Sequence, residues 1–328
     1  MNPTPPSTSM KRLARSALAF VAIGLLLYAA LFYAAEQLVQ RTGRSNPFFK
    51  IANLQDSSVD WVVLGASHAM PLDFADFNAG LQRQTGLRIL NLASPGTGPL
   101  YNRLVLEHFL REHRARNLLY VVDSFAFYSR TWNEERFSDA KLLARTPLEP
   151  AIALGLWRYV RHDGVHPTAL LDYASGFSKI NNRDRFKPDA WEGEAQFERV
   201  YRSSASAVKK RVDYLYPDKT TDAALDRYLG EFSGLLAVAR QAGVRVVAIK
   251  PPTPPLYRSQ LPGEAQFDAA LTRVLAQGGI SYQDYSEALA EPRFYFDTDH
   301  LNRAGLTEFV ERHLRALLMG GAAGGGPT

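Results

Sequence analysis

Cysteine is absent from all 328 residues. Disulfides, thiolate zinc sites and cysteine nucleophiles are therefore excluded, and an oxidising compartment is permitted without being required. A strong charge of either sign is also missing: 38 Lys and Arg stand against 33 Asp and Glu, a formal net charge of +5. The basic residues are scattered rather than massed. That excess suits an anionic surface such as phospholipid headgroups, and it does not make a nucleic-acid footprint. No repeat recurs at a solenoid period. What is present is ordinary for a globular protein, 46% hydrophobic and 22% charged residues, enough for one large domain with an appendage.

Only one long apolar run occurs, SALAFVAIGLLLYAALFYAA at residues 16–35. As a helix it would rise roughly 30 Å, the thickness of a bilayer core. A cleaved signal peptide is the alternative, with Ala34 and Ala35 near a cleavage site, but signal apolar regions usually run about 7–15 residues. An uncleaved anchor is the better reading. Lys11, Arg12 and Arg15 precede the run and Arg41, Arg44 and Lys50 follow it. With no second span, the expected placement is single-pass in a bacterial-type inner (cytoplasmic) membrane, with the domain on the extracytoplasmic, periplasmic side. The expected map is a disordered cytoplasmic tail at 1–15, an anchor at 16–38 and a linker at 39–59 broken at Asn46-Pro47. An α/β domain follows at 60–318, then a disordered Gly/Ala tail at 319–328.

Within the domain, short apolar runs alternate with helical periods. Trp61–Leu64, Arg88–Leu92, Leu118–Val122, Val244–Ile249 and Ile280–Tyr282 read as strands. Leu100–Arg114, Asp222–Gln241, Gly263–Ala276 and Arg303–Leu318 read as helices. Strand, helix, strand at this spacing predicts an α/β fold with a parallel sheet and helices on both faces. The rhythm stops between about 125 and 220, which reads as a mostly helical insertion over one end of the sheet.

Two stretches carry the chemistry. Ser67 follows the first strand in Gly65-Ala66-Ser67, and Asp297-Thr298-Asp299-His300 lies just ahead of the last helix. A serine hydroxyl needs a base in reach, and the base needs a partner that sets its tautomer. Asp297, three residues before His300, has the spacing to curl back to the ring. Asp299 is assigned to capping the last helix or to solvent. Gly65 would relieve crowding before the serine, and Gly96 could turn its backbone N–H toward an oxyanion. His68 should point away from the Ser67 side chain, in a structural or pocket-lining role. His108, His113 and His313 are assigned to helix surfaces, and Lys209-Lys210-Arg211 to a solvated face. His162, Asp163 and His166 lack a further ligand, so neither a metal nor any other cofactor is expected.

The order Gly65-x-Ser67, then Asn91-Leu92-Ala93-Ser94-Pro95-Gly96, then Asp297-x-x-His300 resembles the SGNH/GDSL hydrolase superfamily. The resemblance implies a flavodoxin-like three-layer α/β/α sandwich and Ser-His-Asp acyl transfer. Ser67 would be the nucleophile, His300 the base, Asp297 its orienter, and the N–H groups of Ser67 and Gly96 oxyanion donors. Two positions depart from the family pattern. Ala66 stands where Asp is usual, and the third strand ends Val122-Asp123-Ser124-Phe125 without a Gly-x-Asn. Ser124 or an insertion residue would replace that asparagine donor, or the site would use two donors.

The anchor ahead of such a domain is similar to the DltD-like envelope proteins, which act beside membrane-bound O-acyltransferases. The expectation is a membrane-anchored, envelope-facing serine acyl-transfer enzyme, an O-acyltransferase or esterase. It would take an acyl donor and a polysaccharide or other envelope-polymer acceptor, with a membrane-bound O-acyltransferase as partner and no nucleic acid. A catalytically silent docking module is the competing expectation.

Overall fold

The computed structural model describes residues 8–187 and 189–323. Five parallel strands form one sheet: β1 Ser58–Gly65, β2 Ile89–Asn91, β3 Arg114–Val121, β4 Arg245–Lys250 and β5 Ser281–Asp284. Their spatial order is β2-β1-β3-β4-β5. The register pairs Val63 with Leu119 and Leu119 with Val247 across the three central strands.

Those strands are buried on both faces, which is why they read as nearly unbroken apolar runs. Val62, Leu64, Leu118, Tyr120 and Val246 join one core, where helices Pro99–Glu112, Asp222–Gln241 and Glu264–Gly278 contribute Phe109, Phe232 and Phe267. Trp61, Val63, Leu119, Val121 and Val247 join the other, covered by Leu81 of helix Phe77–Thr85 and by Leu306 and Phe309 of helix Arg303–Phe309. The α/β/α layering follows from that two-residue alternation. β5 is an exposed edge strand of four residues, and it begins one residue later than the apolar pattern indicates.

Between β3 and β4 the chain forms short helices, including Pro150–His162, Thr168–Ser175 and Ala205–Leu215. The insertion is thus mostly helical, as expected.

The ends differ from the sequence map. A single helix runs Thr8–Thr42, one continuous element of 35 residues. Met10 to Arg15 therefore continue the apolar helix instead of forming a tail, in keeping with the helix preference of Met, Lys, Leu, Ala and Arg. It is the one helix among the described residues long and apolar enough to cross a membrane. Residues 39–59 are not a free linker. Asn46 is buried, caps helix Pro47–Ala52 through Phe48 N, and donates to Thr146 Oγ1 at 3.0 Å. Phe48 and Ile51 enter the first core. At the other end the last helical run, through a π-helical turn at Val310–Leu314, reaches Ala323, past the expected stop at 318. The rest of both expected disordered tails lies outside the described residues.

The N-terminal helix is also fastened to the insertion. Tyr28 OH donates to Ser175 O at 3.1 Å, Phe32 covers Gly176, and Glu36 pairs with Lys179.

Gly65 closes β1 at φ +147, and an added Cβ would lie 2.6 Å from Val121 O on β3. Gly86 also has positive φ, +70, but faces open space. Gly65→Ala is therefore expected to cost about 3 kcal/mol, against about 1 kcal/mol for Gly86→Ala. Thermal melting of the full chain checks this, and equal losses for the two variants would remove the steric account.

Candidate active site

The turn that carries Ser67 is built from the end of β1. Gly65 and Ala66 lead into a 3₁₀ helix at Ser67–Asp73 whose first turn has no side-chain cap. Asn91, at the end of β2, donates to Ala69 O at 2.8 Å and accepts from Ala93 N at 3.0 Å. Thr97 Oγ1 donates to Gly65 O at 3.1 Å. These bonds tie the turn to the segment after β2 and leave the Ser67 hydroxyl one side-chain partner, His300 Nε2, at 2.9 Å.

His300 sits in the turn before the last helical run. Asp297 accepts from His300 N at 2.8 Å and from Asp299 N at 3.0 Å, so its carboxylate is folded back over the turn. The His300 Nδ1–H then meets Asp297 at 2.9 and 3.0 Å. With Nδ1 protonated, Nε2 accepts the Ser67 hydroxyl. Phe296 stacks on the imidazole at 5.5 Å and Trp191 meets it edge-on at 5.0 Å. Asn302, not Asp299, caps the following helix, accepting from Gly305 N. Ser67, Asp297 and His300 are thus brought together as one hydrogen-bonded relay.

Around that relay the structure adds four groups the sequence analysis placed elsewhere or did not use. Asp299 is fully buried, not at solvent. Both its oxygens accept from Arg211 Nε, at 3.1 and 3.0 Å, and Arg211 Nη2 lies 2.9 Å from Oδ2. Arg211 therefore leaves the solvated face expected for its basic run and turns inward from helix Ala205–Leu215. The His68 ring stacks on His300 with centroids 4.7 Å apart and planes inclined by 28°. Its Nδ1 meets Asp123 Oδ1 at 2.5 Å, and its Nε2 faces Asp299 Oδ2 at 3.4 Å, an ion-pair distance rather than a short hydrogen bond. No local sequence signal reveals these partners, because each joins segments that only the folded sheet brings together. His108, expected on a helix surface, is likewise buried, between Phe48 and Glu149.

Charge explains the grouping. Burial works against ionising Asp299, but the Arg211 guanidinium, then His300 and His68, hold its carboxyl well below the usual range. Burial also works against a charged His68, yet Asp123, followed by Asp299, pushes it up to about 10. Asp297 is raised by burial and lowered more by His300, ending below its ordinary value. His68, Asp299 and His300 have ligand atoms within 4.8 Å of one another. That spacing alone would suit a cation, but the Arg211 guanidinium already occupies both Asp299 oxygens.

Gly96 has φ +60, and an added Cβ would lie 2.7 Å from the Trp132 ring. No backbone hydrogen bond engages the N–H of Gly96 or of Ser67 among the described residues. Ser124 does not supply a free donor. Its hydroxyl is 2.5 Å from Glu264 Oε2 and 2.7 Å from Tyr216 OH. Asn133 of the insertion is also committed, to Ala126 O, Ser129 O and Leu100 N.

Ser67 is only 4% exposed. A cavity of about 810 Å³ lies beside the site, lined by Thr42, Arg44, Met70, Phe74, Phe186 and Trp191 among others. Trp191 belongs to that lining and touches His300. A second cavity, about 550 Å³, reaches Asp297. Neither lining includes Ser67.

Removing the guanidinium would leave Asp299 with one cationic partner fewer in a buried site. Arg211→Met is expected to destabilise the fold by about 3 kcal/mol, with much of the loss recovered in Arg211→Met/Asp299→Asn. Melting temperatures of the two variants check this; a single variant as stable as the wild type would mean that Asp299 carries no charge.

No protein-family model matches the chain, and no curated protein does. Among solved structures it is similar to a Bacteroides fragilis protein classed as an acylhydrolase, at 8% identity and a TM-score of 0.41, covering 83% of this chain and 95% of that one. It is similar also to a GDSL-like lipase from Bacteroides thetaiotaomicron, at 9% identity and a TM-score of 0.40, covering 82% and 93%.

Proposed function

We propose that this protein is a membrane-anchored serine acyl-transfer enzyme facing the cell envelope. The observation that supports it is the continuous relay from Ser67 Oγ through His300 to Asp297, with bonds of 2.9 Å on either side of the imidazole. In the first half-reaction His300 Nε2 takes the Ser67 proton as Oγ bonds to an ester or thioester carbonyl carbon. The oxyanion is held by the N–H groups of Ser67 and Gly96. As the tetrahedral adduct collapses, His300 returns the proton to the departing oxygen or sulfur, leaving an acyl-Ser67. In the second half an acceptor hydroxyl gives its proton to His300 and attacks the acyl carbon, and His300 returns that proton to Ser67 Oγ as its bond to the acyl group breaks.

The acceptor in this reading is a polysaccharide or another envelope polymer. The apolar helix Thr8–Thr42 supports a membrane location. The lining of the larger cavity, with Thr42 at the end of that helix, Arg44 just past it and Trp191 against the imidazole, supports a substrate arriving from the membrane side. The same architecture supports a membrane-bound O-acyltransferase as partner.

A specific observation favours a second reading, a catalytically silent docking module for such an acyltransferase. Ser67 is nearly sealed, and the Ser124 hydroxyl is taken up by Glu264 and Tyr216.

A serine-directed phosphonate separates the two. Wild-type protein should be labelled on Ser67, and Ser67→Ala should not. Ser124→Ala should be labelled within about threefold of the wild-type rate, whereas loss of a true oxyanion donor costs about 10²–10³-fold. Labelling that persists in Ser67→Ala, or polymer acylation in cells that is unaffected by that substitution, would remove the catalytic reading.

A further inference from the structure

We propose that His68 is a positioning residue of the relay: an imidazolium held between Asp123 and Asp299 and stacked on His300, which offsets the charge of Asp299 so that Asp297 alone orients the base. This rests on the acyl-transfer reading of Ser67 and His300.

The problem His68 solves is a surplus of carboxylates. His300 Nδ1 faces Asp297 at 2.9 Å and Asp299 Oδ1 at 3.6 Å. Two ionised carboxylates at one imidazole edge would compete for the same N–H and hold a proton on the ring. A base that keeps its proton cannot accept one from serine. Asp299 is turned away from that competition by Arg211 on one side and His68 Nε2 on the other. The stacked ring adds a direct effect, because a cation facing His300 at 4.7 Å opposes a second positive charge there.

Every element packed around the pair contributes to this balance. Asp123 comes from the turn just past β3, Arg211 from helix Ala205–Leu215, and Asp297 and Asp299 from the turn that carries His300. Tyr216 and Tyr257 complete the surroundings, and burial raises both phenols well above their ordinary value, so they stay neutral. Three carboxylates face two fixed cations, leaving one negative charge to receive the proton that His300 takes from Ser67. With an uncharged residue at position 68 there would be two negative charges beside the imidazole.

The sign of the expected effect follows. Labelling by the phosphonate requires a neutral His300, so its rate rises with pH. Removing a neighbouring cation favours the protonated ring and moves that rise to higher pH. His68→Gln is expected to shift the midpoint upward by about one unit, so that labelling well below the midpoint falls up to about tenfold while labelling well above it is nearly unchanged. His68→Lys, which keeps a positive charge, should bring the midpoint back toward wild type. A side chain that merely filled space would lower the rate equally at all pH values.

A second measurement needs no variant. In the full chain, in detergent and with ¹⁵N-labelled histidine, His68 should carry protons on both ring nitrogens at pH 7–8. A neutral His68 ring in that range overturns the proposal, as does an unchanged midpoint in a folded His68→Gln protein. Wild-type protein that takes no phosphonate would instead remove the acyl-transfer reading, and the relay role of His68 with it, whatever the charge on the ring.

Discussion

The hydrogen bond between Ser67 Oγ and His300 Nε2 joins positions 233 residues apart, and it exists only because the sheet is parallel. Each strand returns to the same edge, so the turn after β1 and the turn before the last helical run open on one rim. The order β2-β1-β3-β4-β5 reverses its direction of growth between β1 and β3. Open α/β sheets form a crevice at such a reversal. Ser67 and His68 leave one side of it and Asp123 the other, which is how His68 Nδ1 and Asp123 Oδ1 come within 2.5 Å.

The rim is crowded with charge, and the fold neutralises it from outside the sheet. Arg211 belongs to the insertion, yet it binds the carboxylate next to the His300 imidazole. Trp191 and Trp132, also from the insertion, press on His300 and Gly96. The insertion is therefore part of the site's electrostatics and of its walls, rather than a cover added to a finished centre.

Much of this arrangement can be read from the residues themselves. The central parts of β1, β3 and β4 are legible because stretches buried on both faces are apolar at nearly every position, whereas the polar starts of β1 and β3, Ser58–Asp60 and Arg114–Asn117, carry no such run. The place of Ser67 just past β1, and of Asp297 three residues before His300, is legible because each of those spacings is local. β5 is poorly marked, since an edge strand with exposed residues such as Gln283 and Asp284 carries no such run. The meeting of Arg211 with Asp299 is hidden from the sequence for a related reason. A basic triplet on a helix and an acid near a helix start are usually solvated, and only the tertiary meeting of the two overrides that expectation. Asn46-Pro47 shows the same limit: a pair that marks a break also caps the next helix, and only the contact with Thr146 makes it part of the domain.

The long N-terminal helix has a mechanical consequence. At 35 residues it is a rod of about 52 Å, and three successive turns near its far end, at Tyr28, Phe32 and Glu36, are clasped by Ser175, Gly176 and Lys179. A chain joined by a slack tether could swing and sample its surroundings. This one behaves as a mast with its hull bolted on: the bearing of the sheet is geared to the tilt of the rod. Whatever grips the upper part of that rod also aims the rim that holds Ser67.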